Sequence, residues 1–165
     1  MNLQLENRAW WGYLEEDLQE LLSEAELLDS KVDKWDMPFH DYAFIVFPAA
    51  KAYEGFLKKL FLDLGFITRE DYYGKRFRIG KALNPSLDPI YRDKEGVYHK
   101  LVRYCGGDRL AEKLWQTWKK GRNLIFHWFP DEKNAVGRKE AQRRLSMIAE
   151  AIDEAYRECR VDIKR

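Results

Sequence analysis

Residues 109–130 read RLAEKLWQTWKKGRNLIFHWFP, and the shape of this stretch governs the reading of the whole chain. Asp108 precedes it as a suitable N-cap, Pro130 closes it, and Leu114, Trp118 and Ile125 recur at helical spacing between them, predicting one helix over 109–129. At about 100° per residue, Arg122 falls on the shoulder of that apolar stripe. Asn123 and His127 fall on the far side as i, i+4 neighbours. Leu124 and Trp128 also lie off the main stripe, so the last two turns are apolar nearly all round. Such a helix end is normally covered on more than one side. A second copy of the chain is the simplest cover, which predicts a homodimer with this segment at its interface.

Working outward, three further long helices are expected. The first spans roughly Leu3 to Asp29, with Trp10, Trp11, Leu14, Leu18, Leu21, Leu22, Ala25 and Leu28 at helical spacing. The breaker-rich DKWDMPFHD follows, holding His40 in a loop after Pro38, where it is expected to cap or hydrogen-bond rather than react. The second covers roughly Pro48 to Leu64, with Pro48 in its first turn and Gly65 suited to its C-terminal cap. The last runs roughly from Arg138 to Arg160 and is expected to bury Ala141, Leu145, Ile148, Ala149, Ile152, Ala155, Tyr156 and Cys159. Residues 66–96, rich in glycine, proline and alternating basic and aromatic residues, predict a long loop with a short strand pair around Tyr73–Ile79. A short helix from Val97 to Tyr104 then ends at Gly106-Gly107. The expected fold is all-α: one helical domain over residues 1–165, an antiparallel bundle of four or five helices with one elaborate loop.

The bulk numbers fit a single domain. The chain has 165 residues, 45% hydrophobic and 35% charged, with five prolines, which is a globular composition long enough to bury a core unaided. Two cysteines without C-x-x-C spacing, and no apolar run long enough to span a bilayer, predict a soluble, cytoplasmic protein with no membrane partner. The formal net charge of +1 hides a polarity: residues 1–36 carry ten acids against three bases, and residues 69–144 carry nineteen bases against ten acids. One end repels nucleic acid and the other attracts it.

The residue types in GRNLIFHWFP suit phosphate chemistry. Arg122 offers a planar, permanently charged fork for phosphate oxygens. His127 can move a proton near neutral pH, and Asn123 can orient the imidazole or hold a phosphate oxygen. Together they fit RNA cleavage in which the ribose 2′-hydroxyl attacks its own phosphate. That reaction calls on no metal or cofactor, and the sequence has no H-E-x-x-H, paired-aspartate or zinc-ligand spacing. One histidine serves poorly as both base and acid, which a two-fold dimer would relieve. Glu54, in KAYEGFLKKLF, lies on the edge of its helix's apolar stripe and is the candidate to pair with Arg122 or to raise the basicity of His127. Arg92, Asp93 and His99 match a looser version of the same spacing, but Gly96 and the neighbouring prolines predict a loop there, and that pair is set aside.

The pattern RNLIFH, an arginine followed by a polar residue and then by a histidine after four intervening residues, on a late helix of a small α-bundle, resembles the HEPN superfamily of ribonucleases. Within it, the pattern more nearly resembles the catalytic domain of RNase LS-type toxins of bacterial toxin–antitoxin systems. In those toxins a glutamate on an earlier helix joins the arginine and histidine, and YEGFLKKLFLDLGF looks like that helix. The likeness covers roughly residues 42–160. It implies that Glu54, Arg122 and His127 are catalytic with Asn123 in support, and that the protein is a dimeric, metal-independent endoribonuclease leaving 2′,3′-cyclic phosphate ends. It further implies a toxin or phage-defence effector neutralised by an antitoxin protein. The alternative is a non-catalytic HEPN-like module that binds nucleic acid or a protein.

The RNA surface is expected from cations near these residues: Lys75, Arg76 and Arg78 among the loop's stacking rings, Lys119 and Lys120, and Arg138, Arg143 and Arg144 at the start of the last helix. Basic residues at a helix N-terminus oppose its dipole, which is better tolerated if phosphates approach there.

Overall fold

Helix α2, Ala43–Asp63, is the centre of the fold because it is apolar on almost every side: eleven of its residues are buried, among them Tyr53, Phe56, Leu57, Leu60 and Phe61. The computed structural model describes residues 3–128, 130–132 and 134–159. Against α2 pack α1 (Glu16–Lys31), α7 (Arg109–Trp118) and α8 (Arg138–Glu158), and α7 is braced by α6 (Val97–Cys105). Three short helices, α3 (Arg69–Tyr73), α4 (Ile79–Ala82) and α5 (Pro89–Glu95), fill the passage between α2 and α6. The fold is all-α, with no strand among the described residues. No helix of those residues is long and apolar enough to cross a membrane. The buried apolar side chains form one contiguous cluster from Leu5 to Cys159.

Gly65 caps α2 as its sequence position suggests. It adopts φ 71°, its N–H bonds Leu62 O at 2.9 Å, and the Phe66 N–H bonds Phe61 O at 2.8 Å, a Schellman closure that only an αL residue permits. The last helix buries the expected stripe, with Tyr156 half-buried, and Arg160 lies outside the described residues.

Four elements differ from their sequence expectation. The N-terminal helix begins at Glu16, not Leu3, because Gly12 weakens a helix there and the chain instead makes two 3-10 turns, Leu5–Asn7 and Trp11–Tyr13. Those turns bury Trp10 and send its indole N–H, with the Arg8 guanidinium, across to Asp153 on α8. Helix α2 starts five residues before Pro48, which is tolerated in its interior. Asp41 accepts the Ala43 N–H at 2.8 Å and starts the helix early enough to bury Ile45 and Val46.

The strand pair expected around Tyr73–Ile79 is replaced by α3 and α4. Thr68 and Asp71 form a reciprocal capping box, and Ile79, Ala82, Leu83 and Leu87 are buried at helical spacing, which outweighs the brief alternation of rings and bases. Asp88 then caps α5 through the Ile90 N–H at 3.1 Å, with Pro89 in the first turn. The Arg92–His99 passage is therefore helical, on α5 and α6, so the loop expected there is not present.

The fourth difference reshapes the candidate site. The 109–129 helix stops being α-helical at Trp118 and passes through a π turn, Lys119–Asn123, in which the Leu124 N–H reaches back five residues to Lys119 O at 2.9 Å. Gly121 in this turn faces Ile148 and Met147 of α8, at a distance where a Cβ would make ordinary contact. Leu124 and Ile125 form a turn, and Phe126 and His127 a bend. Asp108 occupies the N-cap position of α7 without a side-chain cap bond.

Candidate active site

Glu54 and Arg122 meet. The Arg122 Nε lies 3.3 Å from Glu54 Oε2, and the guanidinium carbon sits 5.8 Å from the Trp118 ring centroid. Carboxylate and indole thus hold the guanidinium on two sides. Both members stay partly open, with side-chain exposures of 40% for Arg122 and 34% for Glu54, so a phosphate can still approach. The pairing follows from α2's own periodicity. Phe47 and Glu54 are seven residues, two turns and about 10 Å apart on one side of that helix. Phe126 packs edge-on against Phe47 at 5.4 Å, while Arg122 reaches Glu54. The segment 122–126 therefore runs antiparallel along one side of α2.

His127 sits in the bend beyond Phe126 and is exposed. With the α-helix ended at Trp118, Asn123 and His127 are no longer helical i, i+4 neighbours. Among the described residues, no hydrogen bond joins the His127 imidazole to Asn123 or Arg122. Instead His127 lines a cleft of about 310 Å³ together with His40, Asp41, Phe126, Trp128 and Asn134. Hydrogen bonds between loops fix the walls. Asp41 accepts the Val136 N–H at 3.1 Å, and the Tyr42 N–H donates to Val136 O at 2.8 Å, tying the start of α2 to the loop before α8. The Asn134 amide donates to the carbonyls of His127 and, at 3.3 Å, Leu124.

Among the polar members of this cleft, His40 and Asn134 were not assigned to the site by sequence reasoning, which expected His40 to cap or hydrogen-bond. Both reach it through loop closure, and no local periodicity marks them. The only trace is chemical: a histidine and an asparagine in breaker-rich passages, the residue types that loops use to grip backbone.

The cations expected to face RNA divide into two groups. Arg138 is taken up by the fold: its guanidinium pairs with Asp29, which is buried, and with Asp33 at 2.8 Å. Arg144 is likewise engaged, with Glu140 at 2.6 Å and with the Lys120 carbonyl at 3.0 Å. Lys75, Arg76, Arg78 and Lys120 are exposed, Lys119 is half-buried, and Arg143 is exposed while pairing with Glu140 at 2.8 Å. The Arg144 bond to Lys120 O places the start of α8 beside the π turn that carries Arg122. Trp118 connects the other side, its ring filling the space where a Gly80 side chain would be.

The second Arg–His pair has a different setting. Arg92 Nε donates to the Leu87 carbonyl at 2.7 Å. Burial, and then the charges of Arg92 and Arg103, pull the His99 imidazole below its ordinary pKa. No carboxylate is ion-paired to Arg92 among the described residues, and that distinguishes it from Arg122.

No protein-family model, curated protein or solved structure matches the chain.

Proposed function

We propose that the chain is a metal-independent endoribonuclease of HEPN type, working as a homodimer and serving as a toxin or phage-defence effector held in check by an antitoxin protein. The observation that carries the reading is the Glu54–Arg122 contact, 3.3 Å between side chains 68 residues apart in sequence, on the segment that five residues later brings His127 to line a cleft. An arginine braced by a carboxylate and an indole keeps a fixed direction while remaining open to a phosphate. In the reaction, the 2′-oxygen attacks phosphorus as its proton passes to an imidazole. The bond from phosphorus to the 5′-oxygen breaks, leaving a 2′,3′-cyclic phosphate, and Arg122 offsets the charge gathering on the phosphoryl oxygens. The chemistry calls on no metal. The exposed rings of Phe47 and Trp128, 50% and 76% accessible, flank the cleft and suit an interface between two copies.

The test is cleavage of single-stranded RNA in EDTA, with the new ends identified. Cyclic phosphate ends from the unmodified protein, with His127→Ala and Arg122→Ala each lowering the rate about 100-fold or more while the fold survives, support the reading. Intact RNA under these conditions sinks it.

One observation favours the alternative of a non-catalytic binding module: Arg122 is joined to Glu54 and not to His127, while Lys75, Arg76 and Arg78 stand exposed. A binding module would hold RNA with a steep salt dependence and be indifferent to His127→Ala.

A further inference from the structure

The proposed cleavage needs two proton transfers, one from the 2′-hydroxyl and one to the departing 5′-oxygen. The sequence offers a single histidine near Arg122 and relies on a second copy of the chain for the other. The folded chain brings a second histidine to the cleft by itself. His40 lies 87 residues from His127 in sequence, yet both line the same space of about 310 Å³.

Their backbones are held together by bonds that reach across the chain. Asp41, next to His40, accepts the Val136 N–H, and Tyr42 donates to the Val136 carbonyl. Two residues before Val136, Asn134 grips the carbonyl of His127. The chain thus runs from His40 through Asp41, Val136 and Asn134 to His127 with a hydrogen bond at each crossing. Phe126 and Trp128 line the same cleft together with Asp41 and Asn134, so aromatic rings, a carboxylate and an amide surround the two histidines.

Resting on the ribonuclease reading above, we infer that His40 is the second proton carrier of the site, so that one chain supplies both the base and the acid. One imidazole, neutral, takes the proton of the 2′-hydroxyl as the 2′-oxygen bonds to phosphorus. The other, protonated, gives its proton to the 5′-oxygen as the P–O5′ bond breaks. The two end with their protonation exchanged, and water restores them. The acid–base pair is then complete without a histidine from a partner chain.

The experiment compares two substrates with His40→Gln and His127→Gln, glutamine keeping polarity and approximate size, and with circular dichroism to confirm folding. The first is a dinucleotide with an ordinary 5′-ribose leaving group. The second is a nucleoside 3′-(4-nitrophenyl phosphate), whose phenolate departs without a proton. Each variant is expected to lose about 100-fold or more in kcat on the dinucleotide, the range for a general acid or base. On the aryl ester one variant, the one missing the acid, recovers to within about tenfold of the unmodified protein, and the other does not.

Three outcomes overturn the inference. If His40→Gln keeps its dinucleotide activity while His127→Gln loses it, the ribonuclease reading stands and His40 has no part in it. If both variants lose activity equally on both substrates, His40 supports binding or structure and not proton transfer. If the unmodified protein cleaves neither substrate nor RNA, the ribonuclease reading falls and takes this one with it. Should His40→Gln not fold, His40→Asn and His40→Ala in the same two-substrate comparison carry the test.

Discussion

Gly80 is where a single methyl group would be felt at the candidate site. A Cβ built there would lie 2.2 Å from Cη2 of Trp118, a rigid ring enclosed by its neighbours. Gly80→Ala is expected to cost about 1–3 kcal/mol through overpacking, seen as a lower melting temperature. Because Trp118 also underlies Arg122, RNA cleavage per folded molecule should fall as well, whereas a purely global destabilisation would leave that ratio unchanged. At this scale the legible part of the site was the part written in helical phase. Glu54 stood on the edge of an apolar stripe, and from that position it reaches Arg122. His40 and Asn134 were illegible because the closure that delivers them, Asp41 to Val136, joins residues 95 apart.

Among elements, α1 and α8 are clamped through a charge pair that the sequence offered to RNA. The basic start of α8 looked like a phosphate landing because Arg138 opposes the helix dipole. Its partner is the carboxylate end of α1, where Asp29 is 3% exposed and the Arg138 side chain 17%. Neutralising Asp29 leaves a largely buried guanidinium with the Asp29 carbonyl and the exposed Asp33 carboxylate as its remaining partners. Asp29→Asn is therefore expected to destabilise the fold by about 3 kcal/mol, measured as a drop in the urea midpoint, with RNA affinity of the folded protein unchanged. The π turn was the other illegible element. The turn widens at Lys119–Asn123 and shifts the chain out of α phase, and a wheel drawn at constant pitch cannot register that. The capping pairs Thr68–Asp71 and Asp88–Pro89 were not read as helix starts, and they nucleate α3 and α5 in a passage expected to be a loop with a strand pair.

For the molecule as a whole, the opposed charges of its two ends are partly spent internally. Glu154 on α8 is buried, which by itself would raise its carboxyl pKa, yet hydrogen bonds and charge from Lys113 and Arg109 outweigh burial and hold it below the ordinary carboxylate range. Hydrogen bonding from Arg138 does the same for Asp33. A carboxyl with a lowered native pKa binds fewer protons folded than unfolded. Its contribution is therefore present above the unfolded pKa and is lost as pH falls through the native one. Stability is expected to decline from about pH 5 downward, and Glu154→Gln should flatten that decline in melting temperature measured between neutral and acid pH.

The all-α class and the helices expected near 48–64, 97–104 and 138–160 were legible because each keeps a continuous apolar period, although α2 begins earlier, at Ala43. The site is instead a product of tertiary closure around α2. Its central claim, that Arg122 and His127 act on one phosphodiester, is tested most directly by incubating the purified chain with single-stranded RNA in EDTA and determining the new 3′ ends by mass spectrometry. The account predicts 2′,3′-cyclic phosphates that disappear with His127→Ala. RNA left intact, or the same fragments from the His127→Ala protein, would contradict it.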